Sequence, residues 1–174
     1  MHYCLLAWGS KCDTIIKQQK KAIRIINLEF PTAHTEPLLK GMNQLKITDL
    51  YKSKLLKLYY KLYRNQLPEY FENCLPQYGT SRYPLRYEGI HLPGATREFC
   101  ETNAKYQMHY LLREISNPLN TSICPYPAQN DDPPIESLIL SSSCAGFSSH
   151  IKRAFLNSYQ IECNIRNCIN NCNP

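Results

Sequence analysis

The chain has 174 residues, 20 Lys and Arg against 14 Asp and Glu, a net charge of +6, and 43% hydrophobic residues. That composition allows a buried core and excludes wholesale disorder, and the length suits one modest domain or a small domain with tails. No stretch approaches the roughly 18 apolar residues of a membrane span, and the apolar opening Met1–Trp8 is too short, and lacks the basic start, of a signal peptide. The expectation is an intracellular protein, in nucleus or cytoplasm, neither secreted nor membrane-bound.

The first segment, 1–70, is predicted to be a basic helical subdomain. Residues 1–64 hold 12 Lys and Arg against 4 Asp and Glu, whereas 65–174 hold 8 against 10. Asp13 or Thr14 can cap a helix reaching about Asn27, with Ile15, Ile16, Ala22, Ile23 and Ile26 on its core side and Gln19 filling the remaining inward place. Lys17, Lys20, Lys21 and Arg24 fall on the other side. Phe30-Pro31 ends that element, because a residue before proline is driven out of the helical region.

Pro37 can start a short helix that Gly41 stops. Thr48 is then expected to cap the longest helix, about 49–65, with Tyr51, Leu55, Leu58 and Leu62 as its buried stripe. Lys54, Lys57, Lys61 and Arg64 recur at spacings of three and four, so they form a second stripe of like charge. Tyr59, Tyr60 and Tyr63 interleave with it and are candidates for stacking on bases. Clustered cations of this kind point to a polyanion, since Lys and Arg replace the counterions of phosphates. A solvated lysine face with inward tyrosines is the plainer alternative.

Leu67-Pro68 closes that helix, and 71–116 is predicted as an irregular stretch, rich in Pro, Gly, Tyr and Arg over 75–96, followed by a helix from Arg97 to about Ile115. Residues 117–146 hold five of the twelve prolines and five serines and read as a linker with room for one short apolar element, Leu138-Ile139-Leu140. The final segment, 147–174, is expected to be a helix over about 148–161, with Phe147, Ile151, Phe155 and Tyr159 on one face and Lys152 and Arg153 beside them, and then a cysteine tail. The fold class is therefore mainly α: a small helical subdomain, an irregular middle, a linker and a C-terminal helix.

The nine cysteines are odd in number and mostly scattered, which fits a reducing compartment better than a disulfide framework. Cys163, Cys168 and Cys172 are the best metal candidates, because clustered thiolates are good zinc ligands. A structural zinc needs four, so Cys144, Cys124 or His150 would have to complete the set. The five histidines show no two-His metal spacing on a helix face. Asp131-Asp132 is followed by two prolines and has no flanking strand pattern, so it reads as a solvated turn and not as a two-metal carboxylate pair. There is no glycine-rich phosphate loop and no nucleophile elbow. No catalytic residue is assigned.

Several phrases, in order, resemble one family. Tyr3-x4-Trp8-Gly9 and then Gln19-Lys20-Lys21-Ala22-Ile23-Arg24-Ile25-Ile26 are similar to the segment just after the polymerase core in non-LTR retrotransposon (LINE-type, jockey-like) reverse transcriptases. Ala33-His34-Thr35-Glu36-Pro37-Leu38-Leu39, Ile47-Thr48-Asp49-Leu50-Tyr51 and Asn65-Gln66-Leu67-Pro68-Glu69-Tyr70-Phe71 continue the likeness. So do His91-Leu92-Pro93, Glu98-Phe99, Tyr106, Gly146-Phe147-Ser148-x2-Ile151-Lys152 and Cys163-x-Ile165-x-Asn167-Cys168. It thins over about 72–90 and 119–140. Tyr3-Cys4 stands where the family has Tyr-Gly, and the gap between Cys168 and Cys172 is one residue longer than the family's.

The resemblance implies the thumb and C-terminal part of an RNA-directed DNA polymerase, with Met1 inside the thumb and the catalytic palm missing as a partner. It implies no catalysis by this fragment alone, and contacts to RNA or DNA backbone through Lys17, Lys20, Lys21 and Arg24. The alternative is a non-enzymatic interaction module with a small zinc-binding cysteine tail. A thumb without its palm is also expected to leave apolar surface such as Tyr51, Leu55, Leu58 and Leu62 partly exposed.

Overall fold

One long helix organises the molecule. In the computed structural model, which describes residues 5–8, 12–75, 103–116 and 135–159, the chain runs through α1 (Leu5–Trp8), α2 (Asp13–Ile26), α3 (Thr35–Gly41), α4 (Ile47–Tyr63), a 3-10 helix (Glu69–Cys74), α5 (Ala104–Ser116), α6 (Ile135–Ser141) and α7 (Cys144–Ser158). The protein is mainly α, and no strand occurs among the described residues. None of these helices is long and apolar enough to cross a membrane.

Helix α4 packs against α1, α2, α5, α7 and the 3-10 helix. It can do so because Tyr51, Leu55, Leu56, Tyr59, Tyr60 and Leu62 bury about half of its circumference. The expected stripe was narrower. Its members Tyr51, Leu55 and Leu62 are buried and Leu58 is partly buried, so they are not left exposed. They are covered by Met108, Leu111 and Leu112 of α5, by Phe147, Ile151 and Phe155 of α7, and by Leu5 and Ile23, all in one core. The four sequence segments therefore contribute to a common core and not to separate bodies.

The end of the expected linker is structured. Ile135, Leu138 and Ile139, at helical spacing, bury one face of α6, and α7 starts at Cys144. Ser143 caps α7 by accepting from the Gly146 amide at 3.1 Å. Tyr60 of α4 donates its hydroxyl to the Ser142 carbonyl at 2.9 Å, and its ring lies 5.0 Å from that of Phe147. Residues 76–102 and 117–134 lie outside the described residues, so the irregular stretch, the Asp131-Asp132 turn and the expected helix start at Arg97 do too. Asn103 is non-helical and caps α5, its Oδ1 accepting from the amides of Lys105 at 2.9 Å and Tyr106 at 3.3 Å.

Helix α2 is rotated relative to the expected face. Ile23 is buried and Ile16 and Gln19 are half-buried, but Ile15, Ala22 and Ile26 are exposed. The cause is polar. The Gln19 amide donates Nε2–H to the Leu45 carbonyl at 2.9 Å and its Oε1 accepts from the Ile47 amide at 3.0 Å. Asn27 donates from Nδ2 to Ile23 O at 2.8 Å. The row Ile16, Gln19, Ile23, Asn27 thus faces inward, one step round from the all-isoleucine stripe.

The caps also differ. Neither Asp13 nor Thr48 is an N-cap: α2 starts after Cys12 and α4 after Lys46, both without a side-chain cap of their own. For α4 the amide hydrogens left over at its start are taken by distant groups, Lys46 N–H by the Tyr159 hydroxyl at 2.9 Å and Ile47 N–H by Gln19. Pro37 lies inside the first turn of α3, where its lost N–H costs nothing. Gly41 is the last helical residue there, and the left-handed turn falls to Asn43 at φ 54°.

Candidate nucleic-acid interface

Helix geometry places Lys54, Lys57, Lys61 and Arg64 on the side of α4 that the core leaves free. Their neighbours at three and four residues are like charges, which cost an isolated helix about 0.2–0.5 kcal/mol per pair. The helix tolerates this because its stability comes from the opposite, buried face. Among the described residues none of the eight candidate cations forms an ion pair, whereas Lys46 pairs with Glu36.

Beside this face lies a groove of about 280 Å³, lined by Gln44, Leu45, Leu50, Ser53, Lys54, Lys57, Ser148 and Lys152. Leu50, Ser53, Lys54 and Lys57 come from α4, Ser148 and Lys152 from α7, and Gln44 and Leu45 from the turn after α3. The packing of α7 against α4 therefore brings a third lysine to the two from α4. No carboxylate lines the groove. The Ser148 hydroxyl donates to the Cys144 carbonyl at 2.8 Å, which fixes its side chain.

Two acidic groups, Asp49 of α4 and Glu36 of α3, are engaged with other partners. Asp49 accepts from the Tyr159 hydroxyl at 2.6 Å, and Glu36 pairs with Lys46. Burial and the bond to Asp49 push the Tyr159 phenol well above the usual range, so it stays protonated and keeps that bond. Neither of these acids is part of the groove's lining.

The other sequence candidates behave differently. Lys17, Lys20 and Lys21 are exposed on α2. Arg24 is half-buried and donates from Nε to the Ala33 carbonyl at 2.8 Å, holding the loop that follows its helix. Arg64 is exposed with its guanidinium 5.9 Å from the Tyr60 ring centre. Tyr59 and Tyr60 are buried, at 3% and 1% exposure, and cannot stack on a base; Tyr63, at 38%, is accessible. Lys152 flanks the apolar face of the last helix in the sequence, and no spacing along the chain links residue 152 to residue 54.

Cys163, Cys168, Cys172 and Cys124 lie outside the described residues. Cys12 is buried, Cys74 and Cys144 are half-buried, and all three are free thiols. Among the described residues no group of three His, Cys, Asp or Glu is close enough to hold a metal ion. His109, almost fully buried, has Nε2 2.9 Å from the Cys74 carbonyl, so that nitrogen carries the proton and the ring ties α5 to the 3-10 helix.

Comparison of the chain with protein-family models, with curated proteins and with solved structures returned no match in any of the three.

Proposed function

We propose that this chain binds the sugar–phosphate backbone of RNA or DNA through the free face of α4, as the thumb and C-terminal portion of a non-LTR retrotransposon-type reverse transcriptase, without chemistry of its own. The observation that carries this reading is the groove in which Lys54 and Lys57 meet Lys152 with no carboxylate in its lining. Lys61 and Arg64 extend the same face toward the end of α4, giving a strip suited to successive phosphates. The exposed Lys17, Lys20 and Lys21 add to the positive field and steer the encounter. Backbone recognition, not base stacking, is the mode that fits, since two of the three interleaved tyrosines belong to the core. In an intact protein of that family the second partner would be the polymerase palm. Ile25, Ile26, Leu28 and Phe30 are apolar side chains available on the surface for such a contact.

The test is binding of the full chain to short RNA and DNA strands lacking a terminal phosphate, measured by fluorescence anisotropy over a range of salt. Affinity should fall as salt rises, and Lys54→Gln, Lys57→Gln and Lys61→Gln together should flatten the slope. Binding that ignores salt, or no binding at low salt, would overturn the reading.

A further inference from the structure

The groove between α4 and α7 differs from the rest of the basic face in three ways. It is concave, it takes cations from two separate helices, and at about 280 Å³ it falls just below the roughly 300–1,000 Å³ of ordinary small-molecule sites. A strip of half-buried lysines with an exposed arginine at its end can follow a backbone of singly charged diesters. Three ammonium-bearing side chains around one small recess favour a more concentrated charge, because each pairwise attraction scales with the charge of the guest. Leu45 and Leu50 form the apolar part of the lining, and Gln44 and Ser53 supply neutral polar groups. That mix suits a compact oxyanion with a less polar group attached, and the absence of a carboxylate from the lining removes the usual repulsion against a dianion.

We infer that the groove formed by Lys54, Lys57 and Lys152 is a seat for a doubly charged phosphate, the terminal phosphomonoester of a nucleic-acid strand or inorganic phosphate itself, in preference to an internal diester. This deepens the backbone-binding reading and rests on it only for the polymeric source of the phosphate. Lys152 is the discriminating residue. It lies on α7, off the α4 strip, so its removal empties one side of the groove and leaves Lys61 and Arg64 in place.

Two measurements test the seat. In the first, one oligonucleotide is prepared with and without a 5′-phosphate, and binding is compared for the unaltered chain, Lys152→Gln, Lys152→Arg and Arg153→Gln. The phosphorylated strand should bind about two- to fivefold more tightly, the range of an exposed ion pair. Lys152→Gln should erase that difference, and Lys152→Arg should retain it. Arg153→Gln removes one charge from the same helix outside the groove and should keep the difference. A difference that survives Lys152→Gln would overturn the proposal, and so would equal binding of both strands by the unaltered chain when inorganic phosphate also fails to bind. In the second, inorganic phosphate is titrated into the labelled full chain and followed by amide NMR. Saturable shifts at residues 53–57 and 148–152, lost in Lys152→Gln, support the seat even if no oligonucleotide binds. In that case the nucleic-acid reading fails and the free ion is the ligand. No shift with phosphate, together with no terminal-phosphate preference, would sink the seat while leaving salt-dependent backbone binding intact.

Discussion

The Tyr159 hydroxyl donates to Asp49 Oδ2 at 2.6 Å and at the same time accepts from the Lys46 amide at 2.9 Å. One phenol at the end of α7 thus closes the start of α4, more than a hundred residues away in sequence. The Lys46 ammonium lies 4.8 Å from the centre of the same ring. This junction holds α7 against the N-terminal half of α4, on the two helices that line the lysine groove.

Tyr159→Phe should therefore destabilise the fold. The ring is kept, but the Lys46 amide loses its acceptor and Asp49 its donor. A loss of about 1–3 kcal/mol is expected, the range for leaving such partners unsatisfied. Urea unfolding of the variant should show a lower midpoint with an unchanged slope.

The same substitution at Tyr51 should act in the opposite direction. Its hydroxyl is buried with no hydrogen-bond partner among the described residues. Tyr51→Phe removes a stranded polar atom at nearly constant shape and should be neutral or stabilising by about 1 kcal/mol. The pH dependence follows from the same burial, which, with the nearby Cys12, pushes the Tyr51 phenol up to about 12. The folded state holds this proton more tightly than the unfolded chain does. Its contribution to stability is thus complete below the ordinary tyrosine range near 10 and is lost as pH rises from there to about 12. Stability measured between pH 10 and 12 should fall, and Tyr51→Phe should make the fall shallower.

Leu28 terminates α2 in the left-handed region, at φ 55°, with its side chain 93% exposed. Its amide and that of Glu29 bond back to Ile25 O and Arg24 O at 3.2 and 2.9 Å, the usual closure of a helix end. The equivalent positions after α3 and α4 carry Asn43 and Asn65. A leucine is strained there and gains nothing from burial. Leu28→Asn should raise stability by about 1 kcal/mol, seen as a higher unfolding midpoint. An unchanged or lower midpoint would show that the side chain is covered in solution.

Gln19 is the hinge of the α2 interface. Gln19→Ala would leave the Leu45 carbonyl and the Ile47 amide without their partner and should cost about 1–2 kcal/mol. Gln19→Glu should cost as well, because a carboxylate cannot donate to Leu45 O. Chemical denaturation of both variants against the unaltered chain measures this.

The salt dependence of nucleic-acid binding should change by counting. Each phosphate contact removed lowers the slope of log affinity against log salt by about 0.7–0.9. A set of Lys54→Gln, Lys57→Gln and Lys61→Gln should therefore flatten it by roughly 2. Lys→Gln changes at positions 17, 20 and 21 should slow association more than they weaken binding, if those side chains act at a distance.

Much of this architecture is visible in the residues themselves. The apolar spacing of α4, its line of lysines at intervals of three and four, and the mainly helical class depend on local periodicity, which one strand of sequence records completely. What local periodicity does not contain is which face of a helix finds a partner. Gln19 looked like a filler in an isoleucine stripe, yet its two hydrogen bonds outweigh Ile15 and Ile26 and turn α2 by a step. Thr48 looked like a cap, but the α4 amides are taken by Gln19 and Tyr159. The run Leu138-Ile139-Leu140 marks a short apolar element within 117–146, but does not reveal that it belongs to a helix from Ile135 buried against the core, or that the next helix starts at Cys144. Lys152 joins Lys54 and Lys57 only because α7 is laid against α4. Spacing along the chain decided the helices and their charge, and the pairing of distant surfaces, which depends on buried area and satisfied polar groups, decided where those charges meet.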